Sequence, residues 1–250
     1  MKLVRLFCLI ILLSVFTGCG EKNIQRTPSL RFSSTSATVA IKEDVSVPFV
    51  SENLDPYDVR LDIDDFIAHG FVSDGVVKFS GKHVGEAIAT ISYEDLKSEC
   101  RITVTGLLDA AFLATPLLKF GESTAYILAN APGAISPASD SVVGAIVDTD
   151  WRALVPSWDS APVSLQYRFN DGKLEVVQVR YGGIRIERYN SVRSTFTEVL
   201  AERYRMFAIN KWEKPGEYVI REVFDDHQKT EFSVTLWYAL DDATINKYVK

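Results

Sequence analysis

Histidine, cysteine and methionine are scarce in this chain, numbering three, three and two in 250 residues, and the scarcity removes several chemistries at once. None of His69, His83 and His227 lies three or four residues from another histidine, so no zinc pair on one helix or hairpin is encoded. The densest group of metal-ligand types is Asp62, Asp64, Asp65 and His69. It lacks the glycine turn of a calcium loop, and Asp62 and Asp64 alternate with Leu61 and Ile63, which reads as the solvated outer face of a strand. No Gly-x-Ser-x-Gly elbow and no phosphate-binding glycine loop occurs; Gly182-Gly183 alone reads as a turn. With 33 acids a carboxylate pair can always be nominated, so acid count carries no glycosidase signal. The sequence thus offers no catalytic residue, no metal site and no cofactor, and points away from an enzyme.

Basic residues are also in deficit. Lys plus Arg number 27 against 33 Asp plus Glu, a net charge of −6. Nucleic-acid binding needs the opposite sign to neutralise phosphates, and so does electrostatic adhesion to anionic lipid. Long apolar runs are missing too. The longest, Leu6 to Phe16, has eleven residues, where a membrane-spanning helix takes about 20.

That short run is nevertheless informative. It follows Lys2 and Arg5 and leads into Thr17-Gly18-Cys19, the order of a cleaved export signal: basic start, short apolar middle, small-residue exit. The Thr17-Gly18-Cys19 ending resembles the lipobox of bacterial lipoproteins, with Phe16 where leucine is usual. The resemblance implies a signal peptide over 1–18, lipid on the Cys19 thiol, and retention at the outer membrane or cell surface, since Gly20 is not the aspartate of inner-membrane retention. Loss of Lys2 and Arg5 takes the net charge to −8. Cys8 leaves with the signal and Cys19 is spent on lipid, so Cys100 has no internal disulfide partner. A buried thiol and an intermolecular bridge are its two options. Alternation in Cys100-Arg101-Ile102-Thr103-Val104 favours the buried thiol.

Residues 19–29 are polar, contain Pro28 and read as a tether. From Leu30 to Thr105 short alternating runs recur between breaks rich in Gly, Asp, Asn and Pro, which predicts an all-β sandwich. Val77-Lys78-Phe79 followed by Gly81-Lys82-His83-Val84-Gly85-Glu86-Ala87-Ile88-Ala89-Thr90-Ile91 resembles the later strands of group 2 bacterial Ig-like domains, over about 75 residues. Its glycines serve tight turns and carry no chemistry.

After Gly106 the pattern changes. Helical spacing is expected over Asp109–Leu118 and Ser123–Ala131, with Ser123 as N-cap, and again over Thr195–Phe207, where Thr195 and Glu198 fit a capping box. Strands are expected over Val142–Val147, Ser164–Phe169 and Leu174–Tyr181, the last two joined by an Asn170-Asp171-Gly172-Lys173 hairpin turn. A second hairpin is expected from Glu217–Phe224 and Thr230–Tyr238, and a short helix in Asp241–Lys250. Residues 106–250 are therefore expected to form an α+β domain, helices on an antiparallel sheet. The layout is similar to that of Bacteroidota surface lipoproteins and, more faintly, to the helix-plus-sheet units of β-lactamase-inhibitory proteins; neither resemblance assigns functional residues.

All four tryptophans fall in this second half. Trp151 and Trp158 lie in a loop-like stretch near Pro156 and Pro162, and Trp212 precedes Lys214-Pro215-Gly216. Loop tryptophans suit contact with a protein or a sugar face, whereas the commoner fate of an indole is to cover the core. The expectation is a non-catalytic, lipid-anchored surface protein with the Ig-like domain as spacer and a protein or glycan bound through Trp151, Trp158 and Trp212. The alternative is an inhibitor or envelope assembly factor working in the periplasm. Replacing Cys19 with serine is expected to abolish palmitate labelling and to move the protein from the detergent phase to the aqueous phase on Triton X-114 partition.

Overall fold

The computed structural model describes residues 27–139, 141–154, 160–227 and 230–249. The chain is mostly β, with 53% strand and 15% helix. Cys19 and Trp158 lie outside the described residues, and so do the signal and most of the tether.

Eight strands come first: β1 (Ser29–Phe32), β2 (Ser36–Ala40), β3 (Asp44–Glu52), β4 (Arg60–Asp62), β5 (Ala68–Ser73), β6 (Val76–Gly81), β7 (Gly85–Tyr93) and β8 (Leu96–Thr105). They form two four-stranded sheets, β1-β3-β6-β5 and β2-β8-β7-β4, antiparallel except for β2 against β8. One apolar core lies between the sheets, because alternate residues of each strand point inward, as with Ala87, Ala89 and Ile91 on β7. Cys100 is free and fully buried on the face of β8 that also buries Ile102 and Val104, the environment expected for an inert thiol. Gly81 is required by a close approach: a Cβ there would sit 2.5 Å from the Ala40 carbonyl oxygen. Strand β4 stops at Asp62, so Asp64 does not continue a strand face. It accepts instead from the Phe66 N–H at 2.9 Å, while Asp65 pairs with Lys82 at 2.8 Å and His69 at 2.9 Å. No group able to hold a metal ion is present among the described residues.

The remaining strands form a single antiparallel sheet. Helix α1 (Thr124–Asn130) precedes β9 (Ala134–Ser139), β10 (Val142–Thr149), β11 (Ala161–Asn170) and β12 (Lys173–Arg185). Helix α2 (Tyr189–Ala201) precedes β13 (Arg205–Ala208), β14 (Lys211–Lys214), β15 (Tyr218–His227) and β16 (Glu231–Ala239), and α3 (Asp242–Asn246) follows. The order β13-β14-β15-β16-β12-β11-β10-β9 sets two four-stranded meanders side by side, last strand against last strand. Ser123 caps α1 as expected, accepting from the Tyr126 N–H, and Asp171 and Gly172 supply the two positive φ angles of the β11–β12 turn.

Two helical expectations fail. Residues 109–118 are irregular, with Phe112 and Ala114 buried against the sheet. Their backbone is satisfied by tyrosines: the Ala114 N–H donates to the Tyr181 hydroxyl at 2.9 Å, and the Leu117 N–H to that of Tyr167 at 3.2 Å. Pro116 has no N–H to contribute to a helix. Helix α2 begins six residues before Thr195, whose hydroxyl donates to the Ser191 carbonyl in mid-helix, so no capping box forms. The apolar stripe is Val192, Phe196, Val199 and Leu200; the chain then turns, and Phe207 belongs to β13.

Both sheet faces carry apolar contacts. One packs against α2 and 109–118 around Phe112, Tyr181 and Phe196, whose rings meet edge to face at 4.9–6.5 Å. The other receives α3, where Ile245 packs on Val176, Trp237 and Ala239, and Asp242 pairs with Lys211 at 2.7 Å and with Arg221. The sandwich is tied to this body by Glu202. Its carbonyl accepts from Val84 at 2.7 Å, and its carboxylate oxygens accept from the N–H groups of Leu107 and Leu108 at 3.2 and 3.3 Å. Tyr181→Phe would leave the buried Ala114 N–H without an acceptor and is expected to cost about 1–3 kcal/mol, read from urea denaturation curves with unchanged slope.

Candidate functional site

The expected tryptophan surface does not form. Trp151 is 0% exposed, its indole N–H donating to the Thr149 hydroxyl at 2.9 Å and its ring lying 6.0 Å from that of Tyr181. Trp212 is 2% exposed and sits on a strand, opposite Met206. Both indoles cover the sheet's core, as bulky aromatics in a wide sheet must, and neither is free to meet a ligand face on. Of the three residues nominated from sequence, the structure thus withdraws Trp151 and Trp212 as exposed contacts.

What lies exposed is different in kind. In the β13–β14 hairpin Met206 is 56% exposed, Phe207 45% and Ile209 81%. Strand β13 is an edge of the sheet and buries no residue. A register irregularity between Met206 and Ala208 isolates Phe207 from the ladder, and Asn210 turns the chain with φ +57°. Met206 and Ile209 face one cleft beside the hairpin, while Phe207 does not line it. The opposite edge, β9, shows the usual protection, since Pro137 can donate no ladder hydrogen bond.

Between this hairpin and α2 runs a cleft of about 420 Å³. Met206, Ile209 and Trp212 line one side, and Asn190, Arg193 and Thr197 the other. Behind it lies Glu222 of β15. Strand alternation puts Glu222 on the same face as Ile220, and Ile220 lies opposite Trp212, so the carboxyl shares the indole's side of the sheet. Its backbone N–H donates to the Asn210 carbonyl at 2.9 Å.

Glu222 is 2% exposed; neither of its carboxylate oxygens makes a well-formed hydrogen bond, and the Trp212 indole N–H beside it is the donor that favours its charged form. The other buried unsatisfied atoms belong to better-served groups. Arg168 has an orphaned Nε but donates through Nη2 to Gln166 and Gln178, and Arg221 donates through Nη2 to Asp242. Burial pushes the Glu222 carboxyl up to about 7; the nearby Trp212 indole and the Arg193 guanidinium pull it back only in part. Arg193 itself lies over the Phe224 ring, 5.7 Å from its centre. A buried acid whose carboxyl is pushed well above the ordinary range stands out from a face otherwise given to apolar packing.

In the cleft the Ser194 hydroxyl donates to the Glu198 carboxylate at 2.6 Å, and the other polar side chains lining it are Asn190, Arg193, Thr197 and Asn210. The sequence contained the elements of this site without marking them: Met206 and Phe207 read as a helix end, and Glu222 as one acid among many.

No protein-family model and no curated protein matches the chain. The solved structures that match include two of low similarity. Domains 5-6 of the S-layer protein SbsC show 12% identity and a TM-score of 0.28, over 86% of this chain and 90% of that one. Domains 4-9 of the same surface layer protein show 10% identity and a TM-score of 0.29, over 86% of this chain and 30% of that one. Likeness at this level carries no argument about fold or function.

The raised Glu222 carboxyl sets a direction for stability against pH. The folded state holds its proton to about pH 7, whereas the unfolded chain releases it near the ordinary 4.5, so stability falls as pH rises between those values. The full effect is about 3 kcal/mol. Glu222→Gln is expected to remove this fall, making the variant more stable than the parent at pH 8 and close to it at pH 4, as measured by denaturant unfolding at both pH values.

Proposed function

We propose that this chain is a non-catalytic, lipid-anchored protein of the outer membrane or cell surface, and that it captures a polypeptide partner through the β13–β14 hairpin. In this reading Cys19 carries the anchor, the eight-stranded sandwich is an Ig-like spacer over 30–105, and residues 106–250 form an α+β binding domain. The observation that carries it is the run of exposed apolar side chains Met206, Phe207 and Ile209 on an edge hairpin beside a cleft. Monomeric surfaces scatter apolar residues singly, and a projecting cluster on a polar rim fits a protein contact. Methionine adapts its shape to a partner, and aromatic and methionine side chains are enriched in interface cores.

A polypeptide fits better than a glycan. Sugar faces are met by exposed aromatic planes flanked by hydrogen-bonding groups. The three described tryptophans are at most 8% exposed, and of the hairpin's exposed apolar side chains only Phe207 is aromatic, none of the three being able to bond hydroxyls. An inhibitor or assembly factor working in the periplasm would use the same surface, and whole-cell protease shaving separates the two: loss of the protein on shaving supports surface capture, protection supports the periplasmic role.

Substituting Met206, Phe207 and Ile209 together by serine removes the patch without touching the core. Retention on a protein array is expected to fall at least tenfold, with the melting temperature within about 2 °C of the parent, because exposed substitutions change stability little. Retention on glycan spots, or protein binding indifferent to the substitutions, would count against the proposal.

A further inference from the structure

We propose that Glu202 is a latch that locks the sandwich and the eight-stranded sheet into one rigid arm, and that without it the two swivel about residues 106–108. The proposal rests on the geometry of the joint and is independent of what the hairpin binds.

Burial does little to stiffen the joint. The two apolar cores are separate, one built from buried residues between Leu30 and Val104, the other from buried residues between Phe112 and Tyr238. Two bodies joined by a short segment, with no core in common, swivel by default. That segment is Gly106-Leu107-Leu108, which carries the chain on from the end of β8 at Thr105. Leu107 is 65% exposed and Leu108 39%, so packing of their side chains does not fix the crossing.

Its backbone is what is held. The Leu107 N–H donates to Glu202 Oε1 at 3.2 Å and the Leu108 N–H to Oε2 at 3.3 Å. One carboxylate thus takes two consecutive amides, and a hydrogen bond to a charged acceptor is stronger than one between neutral groups. The Glu202 carbonyl also accepts, at 2.7 Å, from the Val84 N–H in the loop between β6 and β7. A single residue therefore holds the sandwich in two places, directly at Val84 and through the segment that leaves β8.

Gly106 shows how closely these parts meet. A Cβ there would lie 2.5 Å from Glu202 Oε2 and 3.1 Å from Val84 Cγ2, so the carboxylate and the sandwich loop together fill the space a side chain would need. The Glu202 side chain is itself only 11% exposed, and the Arg203 guanidinium lies 3.7 Å from its carboxylate. Arg203 is held in turn by the Val199 carbonyl, to which it donates at 3.0 Å.

The base of the latch is firm as well. Glu202 follows the last residue of α2, and its N–H donates to the Glu198 carbonyl at 3.2 Å. Val199 and Leu200, just before it, are fully buried in the sheet's core, so α2 cannot shift without opening that core. The same helix lines the cleft with Arg193, Thr197 and Glu198. Cleft wall and latch are carried on one element, and the latch sets that element at a fixed attitude to the sandwich.

The test undoes the latch from either side. Glu202→Ala takes the carboxylate away. Gly106→Ala keeps it but drives it off the two N–H groups, because the new Cβ claims its position. In the full chain, spin labels at Glu99→Cys on β8 and Ser164→Cys on β11, both exposed, report the spread of distances between the two bodies by pulsed electron resonance. Each single-cysteine variant serves as the control for label elsewhere. The latched chain is expected to give one narrow distance, and each unlatched variant a distribution broader by about twofold or more. Thermolysin, which cuts before accessible leucines, is expected to cleave the unlatched variants at Leu107 or Leu108 about tenfold faster, because cleavage needs an unfastened segment.

Circular dichroism checks that each variant keeps its fold; should Glu202→Ala lose it, Gly106→Ala decides. A broad distribution with Glu202 and Gly106 both intact would overturn the latch. A folded variant with a distribution as narrow as the parent's, or with Leu107 and Leu108 cut no faster, would overturn it too.

Discussion

A wide sheet must be covered, and how this one is covered determines the rest of the second half of the chain. Eight strands at about 4.8 Å spacing span some 34 Å, while a helix with its side chains is about 10 Å wide. One thirteen-residue helix cannot close that face. The chain adds the irregular segment around Phe112, the loop bearing Trp151 and Leu154, and the large rings of Tyr167 and Tyr181. The Phe112–Tyr181–Phe196 cluster joins three of these pieces. Tyr181 within it, and Tyr167 of the same sheet, also supply acceptors for backbone N–H groups that a non-helical cover leaves without partners. Burial and hydrogen bonding are thereby met by the same side chains.

This explains which features could be read in the sequence. Strand alternation and turn chemistry are local: the Asp171-Gly172 turn, the Ser123 cap and the alternation around Cys100 follow from a few adjacent residues, whereas Gly81, expected to serve a tight turn, is required by the approach of Ala40 from 41 residues away. The helix over 109–118 was misread because its apolar residues serve a distant sheet, and the hydroxyls that replace its helical hydrogen bonds come from residues 50 and 67 positions away. The shift of α2 is a different matter. The stripe Val192, Phe196, Val199, Leu200 was present in the sequence, but the Thr195–Glu198 pairing imitated a helix start.

The tryptophans show the same limit. Proximity to proline made Trp151 look like part of an open loop, yet the loop folds back and places the indole under the rings of the cluster. Trp212 looked like a loop residue and is a strand residue. No local signal separates an indole that plugs a core from one that meets a partner, because both want area; what differs is whether cover remains available at that point of the sheet. At Trp151 cover was needed. At β13, one strand beyond Trp212, it has run out.

That exhaustion of cover leaves the apolar hairpin exposed. The buried layer ends on β14, and β13 extends past it with every residue exposed. A sheet that merely ended there would be expected to carry charges or proline, as β9 does with Pro137, and to keep acids out of the last covered position. Here the edge carries one charge, Arg205 paired with Glu213, beside exposed Met206, Phe207 and Ile209, and the adjoining layer buries the Glu222 carboxyl against the Trp212 indole. The two departures lie side by side, and each is unfavourable in the isolated chain: one exposes apolar surface, the other buries an unsatisfied acid. A polypeptide of the kind proposed, laying apolar residues on the hairpin, would relieve the first of them.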